Sequence, residues 1–396
     1  MKDGENEHMT IQTHKAIPLP LTEARTLLPQ QNLRVPGPSP VPPTVAEAQR
    51  GPMLNHRGPE FAAIVKRVTL RLQYFFQTAS PVLTYPASGT GGLESAVVNV
   101  FSPGDHVVAL IIGNFGARIA KIAETYGLRV TRIEFPWGQA AEPAMVEARL
   151  KELEEPYRAV MMTHNETSTG VTNDIQALAS VVRRLSPEAL VIVDAVSSLS
   201  SIPLEMDQWD LDVVVTGSQK GWMIPPGMTM IAASERAWEA HKDAKLPRFY
   251  FDWTSARKSL EKWQQPATPA VSLFYALDAA LELMLQEGRE AIFERHARAG
   301  EYVRSRAQQM KLKLLADPRY ASNTVTALLI PEGIQVKSLL KTLREQDHIV
   351  LAGGQDQMKE KIFRIGHLGF FSHEELVQTM DALEKRLQQL ARKAHP

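Results

Sequence analysis

Between residues 107 and 216 the chain alternates short, β-branched apolar runs with longer stretches in which apolar residues return every three or four positions. Short apolar runs fit strands and the 3.6-residue period fits helices. The pattern therefore predicts strands over 107–112 and 128–135, and helices over 117–126 and 143–153. The runs 159–163, 190–196 and 211–216 are almost continuously apolar, as in strands covered on both faces. Asn173 or Asp174 is placed to cap a helix between the first two of these runs. Strand–helix alternation of this kind builds a largely parallel α/β sheet.

Upstream, helical spacing over 61–76 and 93–101 brackets a glycine-rich loop at 88–92. Residues 1–36 lack sustained periodicity and run into the proline-rich stretch 36–43, which reads as an extended arm ending in a rigid loop. After Pro269 the texture changes. A long helical run over 271–287 leads to strand candidates at 324–330 and 361–365, flanked by helices over 334–345 and 373–390. These form a second, smaller α/β domain, and a length of 396 residues suits about two domains.

Charge narrows the class of function. Forty-four basic residues balance forty-four acidic ones, so no net field draws in nucleic acid or an anionic membrane. There is no cysteine, which removes disulfides, thiolate metal sites and cysteine nucleophiles together. No metal site is expected. No run approaches the roughly 18 apolar residues of a membrane span, and the polar N-terminus has no signal-like apolar core. A cytoplasmic enzyme acting on small molecules is the expectation.

Ligands of open α/β sheets bind beyond the carboxyl ends of the strands. Three features stand there: Asp194 after LVIV, Lys220 after VVVTGSQ, and residues 163–170 after AVMM. A lysine in a polar loop is ordinarily a solvated surface group. Lys220, however, follows a buried strand and is enclosed by small polar residues, Gly221 and the Pro225-Pro226-Gly227 turn. Enclosure lowers a lysine's pKa, and the neutral amine is the form that condenses with an aldehyde. Asp194 reads either as a turn former or as a carboxylate facing a cationic ring nitrogen. At about 4 Å such a pair is worth about 4 kcal/mol at an effective dielectric of 20, before desolvation. Ser88-Gly89-Thr90-Gly91-Gly92 makes an ordinary capped loop, or a cradle for phosphate at a helix N-terminus.

Taken together these blocks resemble the class V aminotransferases of fold type I, in the branch of alanine–glyoxylate and serine–pyruvate (serine–glyoxylate) aminotransferases. The resemblance runs from about residue 37 to 371 through GPSPVPP, NHRGPEF, YFFQTAS, SGTGGLESAVVN, GNFGAR, THNETSTGV, VDAVSSL, VVVTGSQKGWMIPPG, TPAVSL, VLAGGQ and FRIGHLG. It implies a pyridoxal 5′-phosphate-dependent transferase fold: an arm (1–36), a large cofactor-binding domain (37–278) with a mostly parallel sheet, and a small C-terminal α/β domain (279–396).

The resemblance also assigns roles. Lys220 is similar to the lysine joined to the cofactor's aldehyde, and Gln219 to a phosphate ligand. Asp194 resembles the partner of the pyridine nitrogen, and Val196 the residue packed on one ring face. Ser88, Gly89 and Thr90 resemble the phosphate turn, and Thr167 the hydroxyl near the cofactor's phenolic oxygen. Phe115 stands where the family stacks an aromatic, often tryptophan, on the other ring face. Arg364 in FRIG resembles the arginine that holds the substrate carboxylate.

Family members are homodimers with shared active sites, so Gln265 and Thr268 are candidates to reach a partner's phosphate. WQQPATP departs there from the tyrosine and threonine of some relatives. His56 and His164 read as structural histidines. The activity implied is transfer of an amino group from alanine or serine to glyoxylate or pyruvate, with ureidoglycine as an alternative donor. A cysteine desulfurase fails for want of a thiol. A cofactor-free scaffold is the alternative of a different class; Lys220, Asp194 and the Ser88 turn together argue against it.

Overall fold

A computed structural model describes residues 31–394 of the chain. Its central sheet has seven strands: Val82–Tyr85 (β1), His106–Ile111 (β2), Arg129–Glu134 (β3), Ala159–Thr163 (β4), Leu190–Asp194 (β5), Val213–Gly217 (β6) and Thr229–Ala233 (β7). They lie in the order β1-β7-β6-β5-β4-β2-β3. Strand β7 runs antiparallel to both of its neighbours, and the pairs from β6 across to β3 are all parallel. Every residue of β2, β4, β5, β6 and β7 is buried, which explains why these segments are continuous apolar runs without alternation.

The helices Pro59–Phe76 (α1), Gly89–Val100 (α2), Asn114–Thr125 (α3) and Ile175–Leu185 (α4) cover the sheet or join its strands, and Val271–Glu287 (α5) packs on α1. One expectation is corrected here. The glycines after Ser88 are not a loop preceding a helix but the first turn of α2, with Ser88 as its N-cap accepting from the Gly91 amide at 3.4 Å. Asp174, not Asn173, caps α4, its Oδ1 accepting from the Ala177 amide at 3.0 Å. Asn173 instead donates to the Thr163 carbonyl and accepts from the Ala141 amide, each at 2.8 Å, which fixes the chain as it leaves β4.

A second core gathers Val303, Leu328, Leu339, Phe363, Ile365 and Leu383. It lies under an antiparallel sheet of Val325–Leu329 (β8), Ala352–Gly353 (β9) and Ile362–Gly366 (β10), with β10 in the middle. Most of the expected arm, residues 1–30, lies outside the described residues. Of the remainder, Asn32–Leu33 pairs in parallel with Ile349–Val350, and the Arg34 side chain is buried 3.6 Å from Glu375. Among the described residues no helix is long and apolar enough to cross a membrane.

Candidate active site

Parallel pairing of β4, β5 and β6 brings their carboxyl ends to one edge, with Thr163 opposite Asp194 and Asp194 opposite Val215. The loops leaving that edge enclose one cavity. It is lined by Ser88, Gly89, Thr90, Phe115, Thr167, Asp194, Val196, Gln219 and Lys220, together with Leu93, Arg118, Asn165 and Ser197. Nine of the residues singled out in the sequence are thus brought together. Arg364 and Thr268 do not line this cavity.

Lys220 is held by its backbone. Ser218 closes the loop behind it, accepting from the Met228 amide and donating to the Pro225 carbonyl at 2.8 Å. Ser39 clamps it from the other side, its amide donating to the Gln219 carbonyl at 2.9 Å and its hydroxyl to the Lys220 carbonyl at 2.8 Å. The Lys220 amine donates to the carbonyl of Pro36. Burial, reinforced by the charges of Arg364 and Arg118 and opposed by Asp194, lowers the amine's pKa to about 8. At pH 7 about a tenth of the chains then carry a neutral amine, against roughly one in three thousand for a lysine at its ordinary value.

Asp194 is buried, and its Oδ1 accepts the Val196 amide at 2.9 Å, which orients the carboxylate and sets Val196 beside it. Burial pushes its pKa up to about 6, so it remains mostly ionised at neutral pH. A cation placed against it would keep it so.

The N-terminus of α2 lines the cavity through Ser88, Gly89 and Thr90, which places the positive end of the helix dipole there. A β-carbon at Gly89 would fall 2.6 Å from Val196 Cγ2, so only glycine lets this turn approach Val196. The Gln219 Oε1 is buried without a hydrogen-bond partner.

Two residues that sequence reasoning left without a role organise the opposite wall. Glu166 is fully buried, and its Oε2 accepts the amides of Phe115 and Gly116 at 2.9 and 3.1 Å. Its Oε1 accepts the Ser168 amide and hydroxyl at 3.1 and 2.5 Å. Glu166 thereby caps α3 from fifty residues away and fixes Phe115, while burial raises its pKa. Arg118, three residues after Phe115, stacks over that ring at 4.7 Å. The GNFGAR block was a signal for Arg118, and Glu166 lay within the 163–170 cluster without a feature that set it apart from its neighbours.

Arg364 projects from β10 and is buried. Its Nε donates to the Gly353 carbonyl at 2.9 Å and its Nη1 to the Thr167 carbonyl at 3.0 Å, with Gln355 Oε1 at 3.4 Å. Burial lowers its pKa to about 10, offset in part by Glu166, so it stays charged. Thr268 is exposed, and the Gln265 carbonyl accepts from Arg57 at 2.7 Å. His164 is buried beside Trp209, where burial lowers its pKa to about 3. His56 is only partly buried and does not line the cavity.

The arrangement fits pyridoxal phosphate. The amine can take an aldehyde, the carboxylate faces the same cavity, Phe115 and Val196 offer apolar surfaces, and the Gly89 turn at a helix N-terminus suits a phosphate, to which the side-chain NH2 of Gln219 can also donate.

Comparison with known proteins agrees. Residues 44–378 match the family model for Aminotransferase class-V. The chain is 43% identical to the soluble hydrogenase small subunit of Synechococcus sp., covering 90% of this chain and 93% of that one. It is 36% identical to the serine–glyoxylate aminotransferase of Methylorubrum extorquens, covering 92% and 93%. Among solved structures, the alanine–glyoxylate aminotransferase of Nostoc sp. superposes with a TM-score of 0.88 at 30% identity, covering 93% of this chain and 98% of that one. The chain belongs to the class V aminotransferases and is a pyridoxal phosphate-dependent enzyme of that family.

Proposed function

We propose that this aminotransferase moves the amino group of alanine or serine to glyoxylate, with pyruvate as a further acceptor, in two half-reactions on one site. The observation that carries the reading is the placement of Arg364: a buried guanidinium, tied to the Thr167 carbonyl, whose charge reaches Lys220. A single guanidinium at the margin of the cavity, bonded to the lining residue Thr167, suits small monocarboxylic substrates. Arg57 lies outside the cavity lining, tied to the loop atoms of Gln264, Gln265 and Pro266, and Arg118 stands against Phe115 and Thr90 beside the Ser88 turn, so Arg364 is the guanidinium assigned to the substrate carboxylate. Glyoxylate is the acceptor named for both aminotransferase relatives above, whereas their named donors differ.

In this reading Arg364 orients the substrate carboxylate and Lys220 carries the proton between the substrate's α-carbon and the cofactor's C4′. Bound pyridoxal phosphate supplies a ring that withdraws electrons from the α-carbon and stores the amino group between half-reactions. Asp194 keeps the ring nitrogen protonated, Phe115 and Val196 exclude water from its faces, and Ser88, Gly89, Thr90 and Gln219 hold the phosphate. Thr167, in the cavity lining, would serve the phenolic oxygen. Thr268, exposed on its own chain, is free to serve the site of a second copy in a homodimer.

Two relatives bear a hydrogenase name, and this reading takes no metal chemistry from it. This chain has no cysteine, and among its described residues no group of three or more histidines and carboxylates gathers as a metal set.

The test is a donor panel of alanine, serine, glycine, aspartate and ureidoglycine against glyoxylate and pyruvate, with the amino acid and oxo acid products quantified. Turnover led by alanine or serine with glyoxylate supports the reading. Turnover led by aspartate or ureidoglycine would replace it.

A further inference from the structure

Arg118 lines the cavity and, among the described residues, forms no ion pair with a carboxylate; its contacts are the Phe115 ring, 4.7 Å from the guanidinium carbon, and Thr90, whose Oγ1 accepts from Nη1 at 3.3 Å. One cation thus touches both the aromatic wall and the turn at the start of α2. The two contacts lie on neighbouring helices, α2 and α3.

We propose that Arg118 is a positioning residue for the phosphate end of the cofactor, acting through the Thr90 hydroxyl. The inference rests on the reading that Ser88, Gly89 and Thr90 hold the phosphate. A guanidinium has donors and no acceptor, so in its bond to Thr90 it must donate. That bond occupies a lone pair of Oγ1 and leaves the hydroxyl's own hydrogen to be given elsewhere. A phosphate oxygen only accepts. With Arg118 in place, Thr90 is therefore left as a donor at the cavity that the N-terminus of α2 also lines, and the helix dipole and the guanidinium charge favour the same anion. Stacking on Phe115 restrains the guanidinium at this spot, so the orientation is set before the cofactor arrives. Without Arg118 the Thr90 hydroxyl is free to rotate, and the cavity loses a cation on the phosphate side.

The test compares binding of pyridoxal phosphate and of pyridoxal, which lacks the phosphate, to cofactor-stripped protein by spectral titration. Wild type, Arg118→Gln, Arg118→Lys, Thr90→Val and the Arg118→Gln/Thr90→Val pair are measured. Arg118→Gln is expected to weaken pyridoxal phosphate about 10- to 100-fold while leaving pyridoxal within about twofold, which also shows that the variant is folded. In the Thr90→Val background the same change should cost far less, because the hydroxyl through which it acts is gone. Arg118→Lys should recover only part of the loss, since a single ammonium cannot hold both contacts.

Equal weakening of both ligands would reduce Arg118 to a prop for Phe115 and overturn the proposal, as would additive losses in the double variant. Wild-type protein that bound the two ligands equally would instead show that the Ser88 turn does not hold the phosphate, and Arg118 would fall with it.

Discussion

A β-carbon placed on Gly37 would stand 2.5 Å from the Lys220 amine and 2.6 Å from that side chain's Cδ. Gly37 also has φ of +119°, a region that side-chain-bearing residues rarely adopt. The Pro36 carbonyl, one residue earlier, accepts the amine's hydrogen. Gly37 therefore keeps open the space in which the lysine moves. Gly37→Ala is predicted to lower kcat at least about tenfold and to slow cofactor uptake, through backbone strain of about 1–3 kcal/mol and crowding of the lysine. Steady-state kinetics and uptake of added cofactor check this; an alanine variant that matches wild type in both contradicts it.

Asp194 is expected to act on rate more than on occupancy. Asp194→Asn retains the shape and the Val196 contact but removes the charge. The loss is about 4 kcal/mol or less, which corresponds to roughly a 10²- to 10³-fold fall in kcat. Bound cofactor, measured after gel filtration, should remain substantial. A kcat within about threefold of wild type would remove Asp194 from the chemistry.

For Arg364→Ala the expected signature is in substrate affinity. Loss of a charge-assisted clamp worth about 1.5–3 kcal/mol raises the donor KM about 10- to 100-fold. Cofactor content should change little, because Arg364 does not line the cavity. Loss of cofactor with an unchanged donor KM would assign Arg364 a structural role.

Much of this site was legible before the structure because its key residues sit at the ends of buried strands. LVIV before Asp194 and VVVTG before Gln219 and Lys220 can be read as strands with no tertiary information. Other parts were not local. The start of α2 is composed of glycines, which read as a break, yet the Ser88 cap begins the helix there. Strands β1 and β7 are short and form the antiparallel edge, outside the strand–helix rhythm that revealed the others. The helix Arg289–Gln309 is dominated by charged and polar residues and buries only a sparse stripe, so periodicity was a weak guide. Glu166 acquires its role only when the fold brings it to the α3 amides.

Stability should fall in acid through buried histidines. His296 is the clearest: its Nε2 accepts the Gly369 amide at 3.0 Å, so Nδ1 carries the hydrogen that goes to the Ile292 carbonyl at 2.8 Å. The neutral ring is fully used, and burial lowers its pKa to about 3. The unfolded value is about 6.5, so between these limits the unfolded chain binds the extra proton and stability drops as pH falls. His164 and His367, both pushed to about 3 by burial, act in the same direction. Each contributes a slope of at most about 1.4 kcal/mol per pH unit. Thermal unfolding between pH 7 and 5 should show this decline, and it should be shallower in His296→Gln; identical slopes would contradict the assignment.

Whether Lys220 drives amino transfer from alanine or serine is decided by a single-turnover half-reaction. Purified protein carrying its cofactor is mixed with alanine or serine without an acceptor, and the yellow absorbance and the oxo acid released are followed in wild type and Lys220→Ala. The account predicts bleaching with about one oxo acid per site in wild type, recovery of colour and release of glycine when glyoxylate is added, and a rate roughly 10²- to 10⁴-fold lower or undetectable without the lysine. Wild-type protein that holds the cofactor but transfers nothing from either donor, or a Lys220→Ala variant that bleaches as fast as wild type, would contradict it.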